Sequence, residues 1–469
     1  MPDATIDLGA LTIAEASTRI AAGTLSPLAL TEAAFARIDA TNPRINTFVR
    51  LMRASAIAEA EAAEARAHTS SRLGPLDGIP FAVKDLFDTA GVVTAAGTSA
   101  YRERVPTEDA TAVRRLREAG AVLLGKTNTH ELALGGTTNN VHHGPTRNPW
   151  RLDRVPGGSS GGSGAALAAG QALGALGTDT GGSIRIPAAF CGVTGHKPSY
   201  GLVGRGGVVP LSLTLDHAGP MARTALDCAL ILDVLAGYDA RDPDSVERPS
   251  ESFSTGIDRD IRGLRVAVIP SLVEGSSEAT LAAFEAGLDV LRGLGVTVGT
   301  VEPMAGHDEW RASINGLLVA EGASYIAHIL RERPQTIGES VRRRMLTGLD
   351  ISATAYIKML AQRAMIERMF EASLREGEFD AYVTPTSPQP AEPIVADPNA
   401  DSEPPTKFRI TTVFDLTRQP SISVPAGFDG DGMPIGFMIS GARWTDALVL
   451  RIAHAFQQAT THHAQRPTP

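Results

Sequence analysis

The stretch Gly157–Gly182, GGSSGGSGAALAAGQALGALGTDTGG, constrains the fold more than any other part of the chain. Between about Gly162 and Ala172 the side chains are nearly all small or leucine, so a helix here can be buried on every side with other backbone close by. Such a helix travels about 17 Å, and an extended Leu173–Thr178 returns about 20 Å. Ser159 and Ser183, 24 positions apart, are thereby brought to the same end of the fold.

The rest of the pattern surrounds that element with alternating helix and strand. Thr12 to about Ala62 reads as helical, opened by a capping box of Thr12 with Glu15 and restarted at Ser26-Pro27. Gly74–Pro80 makes turns, and Phe81–Lys84 is a short apolar strand ending on a lysine. Asp109–Glu118 is an amphipathic helix, Ala121–Leu124 a buried strand and Gly125–Asn128 a turn. Further on, Leu264–Ile269 and Val296–Val301 are strands around a helix at Ser277–Leu294, and Ala320–Leu374 is mostly helical. Asp380–Thr384 is a strand, and the acidic, Pro-rich Ala396–Lys407 a surface loop. Ser421–Val424 and Ile435–Ile439 flank a hairpin turn at Asp429–Gly432. No repeat and no long linker divides the 469 residues. The expectation is one α/β domain over 1–469, with a helical part at 1–65, a chemical core at 66–240 and a second part at 241–469 completing sheet and pocket.

Charge and cysteine content narrow the partners. The 43 basic and 52 acidic residues give a net charge of −9 with no basic run, which argues against nucleic acid as a partner. Cys191 and Cys228 lack metal-ligand spacing, so reduced thiols in a cytoplasm fit best. The N-terminus has no signal-like pattern, and no apolar run is long enough for a membrane.

Ser183 follows Thr180-Gly181-Gly182 and precedes Ile184-Arg185-Ile186-Pro187. A glycine turn running into a helix start can gather backbone N–H groups around a hydroxyl, which is the geometry that stabilises a tetrahedral oxyanion. A serine nucleophile also needs a base, and Lys84 at a buried strand end is the candidate. Lysine acts as a base only when neutral. Moving its pKa from about 10.4 to about 7 takes roughly 4–5 kcal/mol, which burial can supply.

With GGSSGGSGAA at Gly157–Ala166, GTDTGGSIRIPAAFCGVTGHKPSYG at Gly177–Gly201 and IPFAVKD at Ile79–Asp85, the chain resembles the amidase signature family of serine hydrolases. The resemblance extends to GKTNTHEL (Gly125–Leu132), RNPW (Arg147–Trp150), QPSISVPAG (Gln419–Gly427) and RIAHAFQQAT (Arg451–Thr460). It implies a single α/β/α domain with a central mixed sheet covered by helices on both faces. It implies a Ser–cis-Ser–Lys triad with Ser183 as nucleophile, Ser159 as bridging serine on a cis Gly158–Ser159 peptide, and Lys84 as base. Thr180, Gly181, Gly182 and Ser183 would supply oxyanion N–H groups, with neither metal nor organic cofactor. Ser160, Asp179 and Arg185 are read as supports around the triad. Leu134, Gly135, Gly136 and Thr137 are candidates for substrate binding, and His130, His142 and His143 for the pocket mouth, against a default of loop histidines. Cys191 is read as a packed thiol.

Two other motifs are set aside. Gly120–Thr127 satisfies the phosphate-loop expression GxxxxGK[ST], but its four middle residues are apolar and belong in a strand. Gly157–Gly161 satisfies GxSxG, with His196, His217 and His454 downstream, yet Arg151–Pro156 is a poor strand to precede a nucleophile elbow. The activity expected is hydrolysis of a carboxylic amide, with esters, anilides and carbamates open, on a small molecule with water and without nucleic acid or membrane; a homodimer is left open. The alternative is the glutaminase subunit of a tRNA-dependent amidotransferase, where ammonia passes to a partner. Those subunits usually carry an Arg-Tyr/Phe-Asp-Gly stretch that Glu321–Gly338 lacks. Arg418 stands where relatives often have glycine, and is read either as selecting an acidic or polar group or as a surface salt bridge.

Overall fold

A helix can be buried on all sides only where its neighbours' backbones approach closely, and Gly161–Ala168 meets that condition with all eight residues buried. A Cβ on Gly162 would lie 2.3 Å from the Asn128 carbonyl oxygen, so only glycine permits this contact. The helix is shorter than its sequence pattern suggests. It ends at a turn through Gly170 (φ +67°), and the chain returns as the strand Gly174–Asp179.

That strand lies inside an eleven-stranded mixed sheet. From edge to edge the order is Phe48–Leu51, Val122–Thr127, Pro80–Lys84, Gly174–Asp179, His217–Ala222, Thr194–Lys197, Ser421–Phe428, Pro434–Gly441, Ala381–Pro385, Arg265–Val268 and Thr297–Thr300. Pro80–Lys84 runs parallel to both neighbours, whereas His217–Ala222 is antiparallel to Gly174–Asp179. Helices cover both faces, giving the α/β/α architecture expected. This computed structural model describes residues 6–303, 308–400 and 408–467.

Local signals explain most element boundaries. The Thr12–Glu15 capping box forms in both directions, and Ser26 caps Pro27–Ile45 with proline in the first turn. The hairpin turn is tied by Asp429, whose carboxylate accepts from the N–H groups of Asp431 and Met433 at 2.9 and 2.8 Å. Ala320–Leu374 resolves into parts of three helices, Asp308–Glu332, Glu339–Leu349 and Ala353–Glu376. Of the expected Ala396–Lys407 loop, residues 401–407 lie outside the described residues.

Two expectations change. Phe48–Leu51, read within a helical stretch, is an edge strand antiparallel to Val122–Thr127. Gly125-Lys126-Thr127, read as a turn, continues that strand. A Cβ on Gly125 would sit 2.2 Å from the Arg50 carbonyl oxygen, so the glycine serves close strand approach. The phosphate-loop resemblance is thus a strand, Val122–Thr127.

The main core joins the small-residue helix to apolar sheet faces. At its far side Phe437 stacks between Phe284 and Phe456, with ring centroids 5.4 and 5.2 Å apart. Each such ring contributes roughly 1.5–3 kcal/mol by leaving water. Among the described residues no helix is long and apolar enough to cross a membrane. Cys191 and Cys228 are buried free thiols, and Cys191 Sγ donates to the Pro156 carbonyl at 3.3 Å.

Candidate active site

The strand Pro80–Lys84 carries Lys84 into the interior, where its side chain is 0% exposed. Its Nζ lies 2.7 Å from Ser159 Oγ and 2.7 Å from Thr178 Oγ1. Burial pushes the Lys84 pKa down to about 7, against the opposing pull of Asp179 and Asp216. A substantial fraction of this amine is therefore neutral near pH 7, with a lone pair for a hydroxyl proton.

Ser159 precedes the central helix, and the Gly158–Ser159 peptide is cis. Its carbonyl accepts from the His130 N–H at 3.1 Å and from Thr129 Oγ1 at 2.9 Å. The Leu134–Thr137 loop lies directly against this turn. A Cβ on Gly158 would meet the Gly136 carbonyl carbon and the Thr137 nitrogen at 2.8 Å. Leu132, Ala133 and Thr138, all with positive φ, give the loop strained backbone of the kind that clusters around functional sites.

Ser160 joins the two serine-bearing turns to the sheet. Its Oγ donates to the Thr178 carbonyl at 3.2 Å and accepts from the Thr178 N–H at 3.3 Å, while its own N–H donates to the Ser183 carbonyl at 3.3 Å. The folded path therefore joins the clusters as their spacing implies. Ser183 is 5% exposed, in the turn leading to the helix Arg185–Cys191.

Asp179 organises that turn. Its carboxylate accepts from the N–H groups of Gly182 at 2.5 Å and Ile184 at 3.0 Å, and from Arg185 Nε at 2.9 Å and Nη2 at 3.0 Å. Burial alone would raise the Asp179 pKa, but the Arg185 guanidinium holds it well below the usual carboxylate range. Because its N–H points at Asp179, Gly182 is committed within the turn. Among the described residues the N–H groups of Gly181 and Ser183 meet no acceptor.

Several supporting residues come from segments that local sequence did not connect. Thr180 Oγ1 donates to Asp216 at 2.5 Å, and Thr411 and Thr412 donate to the Gly181 carbonyl at 2.6 and 3.1 Å. Arg185 Nη2 donates to Asp415 at 2.6 Å. Burial raises the Asp415 pKa well above normal, with Asp179 adding to it, while burial lowers Lys197 to about 8. Each carries hydroxyl, acid or amine chemistry, but none stands in a local motif that marks it.

Among the described residues no histidine ring is hydrogen-bonded to the hydroxyl of Ser159 or Ser183 as a catalytic triad would require. His196 Nε2 lies 3.1 Å from Asp446, and His217 Nδ1 lies 2.7 Å from the Leu215 carbonyl. His142 lies 2.8 Å from Glu131, and His130 Nδ1 lies 3.3 Å from Thr137 Oγ1. Arg418 forms no salt bridge among the described residues; its guanidinium lies 4.1 Å from the centre of the Tyr200 ring, on a backbone with φ +59°. No cluster among the described residues has the composition of a metal site.

Comparisons with known proteins bear on the fold and the family. The amidase family model matches residues 29–450. One of the glutamyl-tRNA(Gln) amidotransferase subunits of Chloroflexus aggregans is 40% identical, over 98% of this chain and 99% of that one. A solved structure described as a vestigial protein complex revealing the origins of an s-triazine catabolic enzyme superposes with a TM-score of 0.91 at 34% identity, over 98% of this chain and 100% of that one. Peptide amidase from Stenotrophomonas maltophilia superposes with a TM-score of 0.85 at 32% identity, over 97% and 98% of the two chains.

One expectation is overturned. Charge and motifs alone point to a chain acting on a small molecule with no nucleic acid involved. A coextensive curated relative is instead named as one subunit of an assembly and for glutamyl-tRNA(Gln). Net charge is a poor guide to partners, because a chain can join an assembly whose basic surface lies on another subunit. The fold, the buried lysine beside a serine and these likenesses lead to one conclusion: the chain belongs to the amidase family, the amidase signature enzymes that act on C–N amide bonds.

Proposed function

We propose that this chain is the amidolytic subunit of a tRNA-dependent amidotransferase, a glutaminase that releases ammonia for a partner subunit. The observation that carries the chemistry is the 2.7 Å approach of buried Lys84 to Ser159. Coextension, at 40% identity, with one subunit of such an amidotransferase supports the assembly.

In this reading Ser183 Oγ attacks the amide carbonyl carbon. Its proton passes to Ser159 as the Ser159 proton passes to neutral Lys84. Negative charge develops on the carbonyl oxygen, and the free N–H groups of Gly181 and Ser183 stabilise it, each worth about 3–4 kcal/mol in such a site. The C–N bond then breaks as the Lys84 proton returns through Ser159 to the leaving nitrogen. An ester remains on Ser183, and water cleaves it by the same proton path, giving acid and free serine. Thr180 and Gly182 shape the turn in this scheme, through Asp216 and Asp179.

A second reading, hydrolysis of a carboxamide other than glutamine, is favoured by one feature. Glu321–Gly338 lacks the Arg-Tyr/Phe-Asp-Gly stretch usual in the glutaminase subunits. Glu321 itself is occupied by Thr214 and Tyr356, at 2.8 and 2.7 Å.

The test offers glutamine, aliphatic and aryl amides, esters and carbamates to the purified chain, alone and with the remaining subunits of the Chloroflexus amidotransferase. Glutamine turnover that rises with those subunits supports the first reading, and turnover of another amide with glutamine inert moves the assignment to the second. Amide turnover surviving Ser183→Ala, or a fluorophosphonate adduct on a different residue, overturns both.

A further inference from the structure

A surface helix needs one apolar stripe, and Ala353–Glu376 has two. Its inner line, Ile366, Phe370 and Leu374, is buried. A second line, Ile357, Ala361, Met365 and Met369, repeats every four residues and is exposed. Ile357 is 63% and Met365 59% exposed. At 100° per residue the two lines lie about a quarter-turn apart, so the outer one gains nothing from the core that the inner one covers.

The concentration is specific to this region. Of twelve exposed large hydrophobic residues among those described, five fall between Leu346 and Met369. Scattered apolar residues on a surface need no explanation, whereas a row about 18 Å long on one helix does. Methionines suit such a face, because their flexible thioethers adapt to a partner's side chains.

Charge at the edges limits what can cover it. Lys358 and Arg368 are exposed and adjoin Ile357 and Met369, and neither makes an ion pair or side-chain hydrogen bond among the described residues. Both stand out in a chain whose net charge is −9. A second copy of the chain laid antiparallel across the stripe would set Lys358 against Arg368, an unfavourable meeting of like charges. A helix with an apolar face and acidic flanks meets no such penalty.

We propose that this stripe is the docking face for an acid-flanked amphipathic helix of the partner subunit, its apolar side along Ile357, Ala361, Met365 and Met369 and its carboxylates at Lys358 and Arg368. The assignment rests on the amidotransferase reading above. It places the partner on the outer face of a helix whose inner side holds Arg363, paired with Glu367 at 3.0 Å.

The test uses the full chain with the remaining subunits of the Chloroflexus amidotransferase as probe, read by sedimentation and by binding titration. Two double variants are compared, Ile357→Glu with Met365→Glu and Lys358→Glu with Arg368→Glu, and a photo-crosslinking residue replaces Ala361. The expected result is a loss of roughly 30-fold or more in affinity for the first and about 10-fold for the second. The second loss shrinks at high salt, amide turnover by the isolated chain is unchanged, and the crosslink reaches an acidic helix. Wild-type affinity in both variants overturns this surface while leaving the assembly reading intact. No binding by the parent chain at tens of micromolar overturns both. A dimer of the chain that the first double variant dissociates assigns the stripe to a second copy and overturns the proposal.

Discussion

Thr178 Oγ1 lies as close to Lys84 Nζ as Ser159 Oγ does, at 2.7 Å. A neutral amine has two N–H donors and one lone pair. Thr178 accepts from one N–H, which leaves the second N–H and the lone pair as the only groups that can face the Ser159 hydroxyl. In the proposed mechanism it thereby orients the base, and it also stabilises the ammonium form by accepting from it. Thr178→Val is expected to lower kcat about tenfold and to move the pH midpoint of kcat/KM downward, with Thr178→Ser restoring both. An unchanged profile in the valine variant removes this role.

In the proposed mechanism Lys84 sets a pH dependence. With burial holding Lys84 at about 7, kcat/KM should rise with pH through that value and level off above it, as the amine loses its proton. A profile measured from pH 5.5 to 9.5 checks this. A midpoint above 9 contradicts the buried-amine mechanism.

The same burial weakens the fold. The folded protein holds the Lys84 proton less tightly than the unfolded chain does, so the penalty is full below about pH 7 and fades as pH rises toward the ordinary lysine value of 10.5. Lys84→Met removes it. At pH 6.5 the variant is expected to be inactive yet more stable by about 2–4 kcal/mol, since Ser159 and Thr178 lose a partner and offset part of the roughly 5 kcal/mol involved. Urea titrations at pH 6.5 and 9.5 should show the gain shrinking at the higher pH. A loss of stability at both pH values contradicts it.

Arg185 is wholly buried between Asp179 and Asp415. Arg185→Met leaves the Asp179 carboxylate and the Asp415 carboxyl group without the guanidinium they share, so a loss of about 3–5 kcal/mol is expected in urea denaturation, with a fall in kcat. A cost below ~1 kcal/mol would mean the arginine does not hold the turn.

Thr411 and Thr412 clamp the Gly181 carbonyl from a segment about 230 residues away. Replacing both by valine loosens the Gly181–Gly182 peptide, which links the two N–H donors proposed for the oxyanion while its own N–H is held by Asp179. The expected outcome is a 10- to 100-fold fall in kcat with KM nearly constant. A change confined to KM points to substrate contact instead.

The candidate site is legible in the sequence where chemistry and local geometry coincide. Glycine-flanked serines mark tight turns, the small-residue stretch marks a buried helix, and a lysine ending an apolar strand stands out against its flanks. Thr178 lies within the return strand that the pattern does indicate, but its contact with Lys84 depends on the parallel pairing of Pro80–Lys84 with Gly174–Asp179. Asp216, Thr411 and Asp415 are out of reach for the same reason, since tertiary pairing alone brings them in. At Gly125 the local signal misleads, because glycine's turn preference yields to a close strand contact. The edge strand Phe48–Leu51 is hidden because four residues are too few to break a helical pattern.

The central Gly161–Ala168 helix leaves its surroundings almost no room to adjust. A single added methyl at Gly162 collides with main chain, so the geometry joining the two serines cannot be altered gradually by substitution there. Variation in what such a chain processes must then arise at its rim, in the outer helices and loops, where side chains can change without disturbing the proposed proton path.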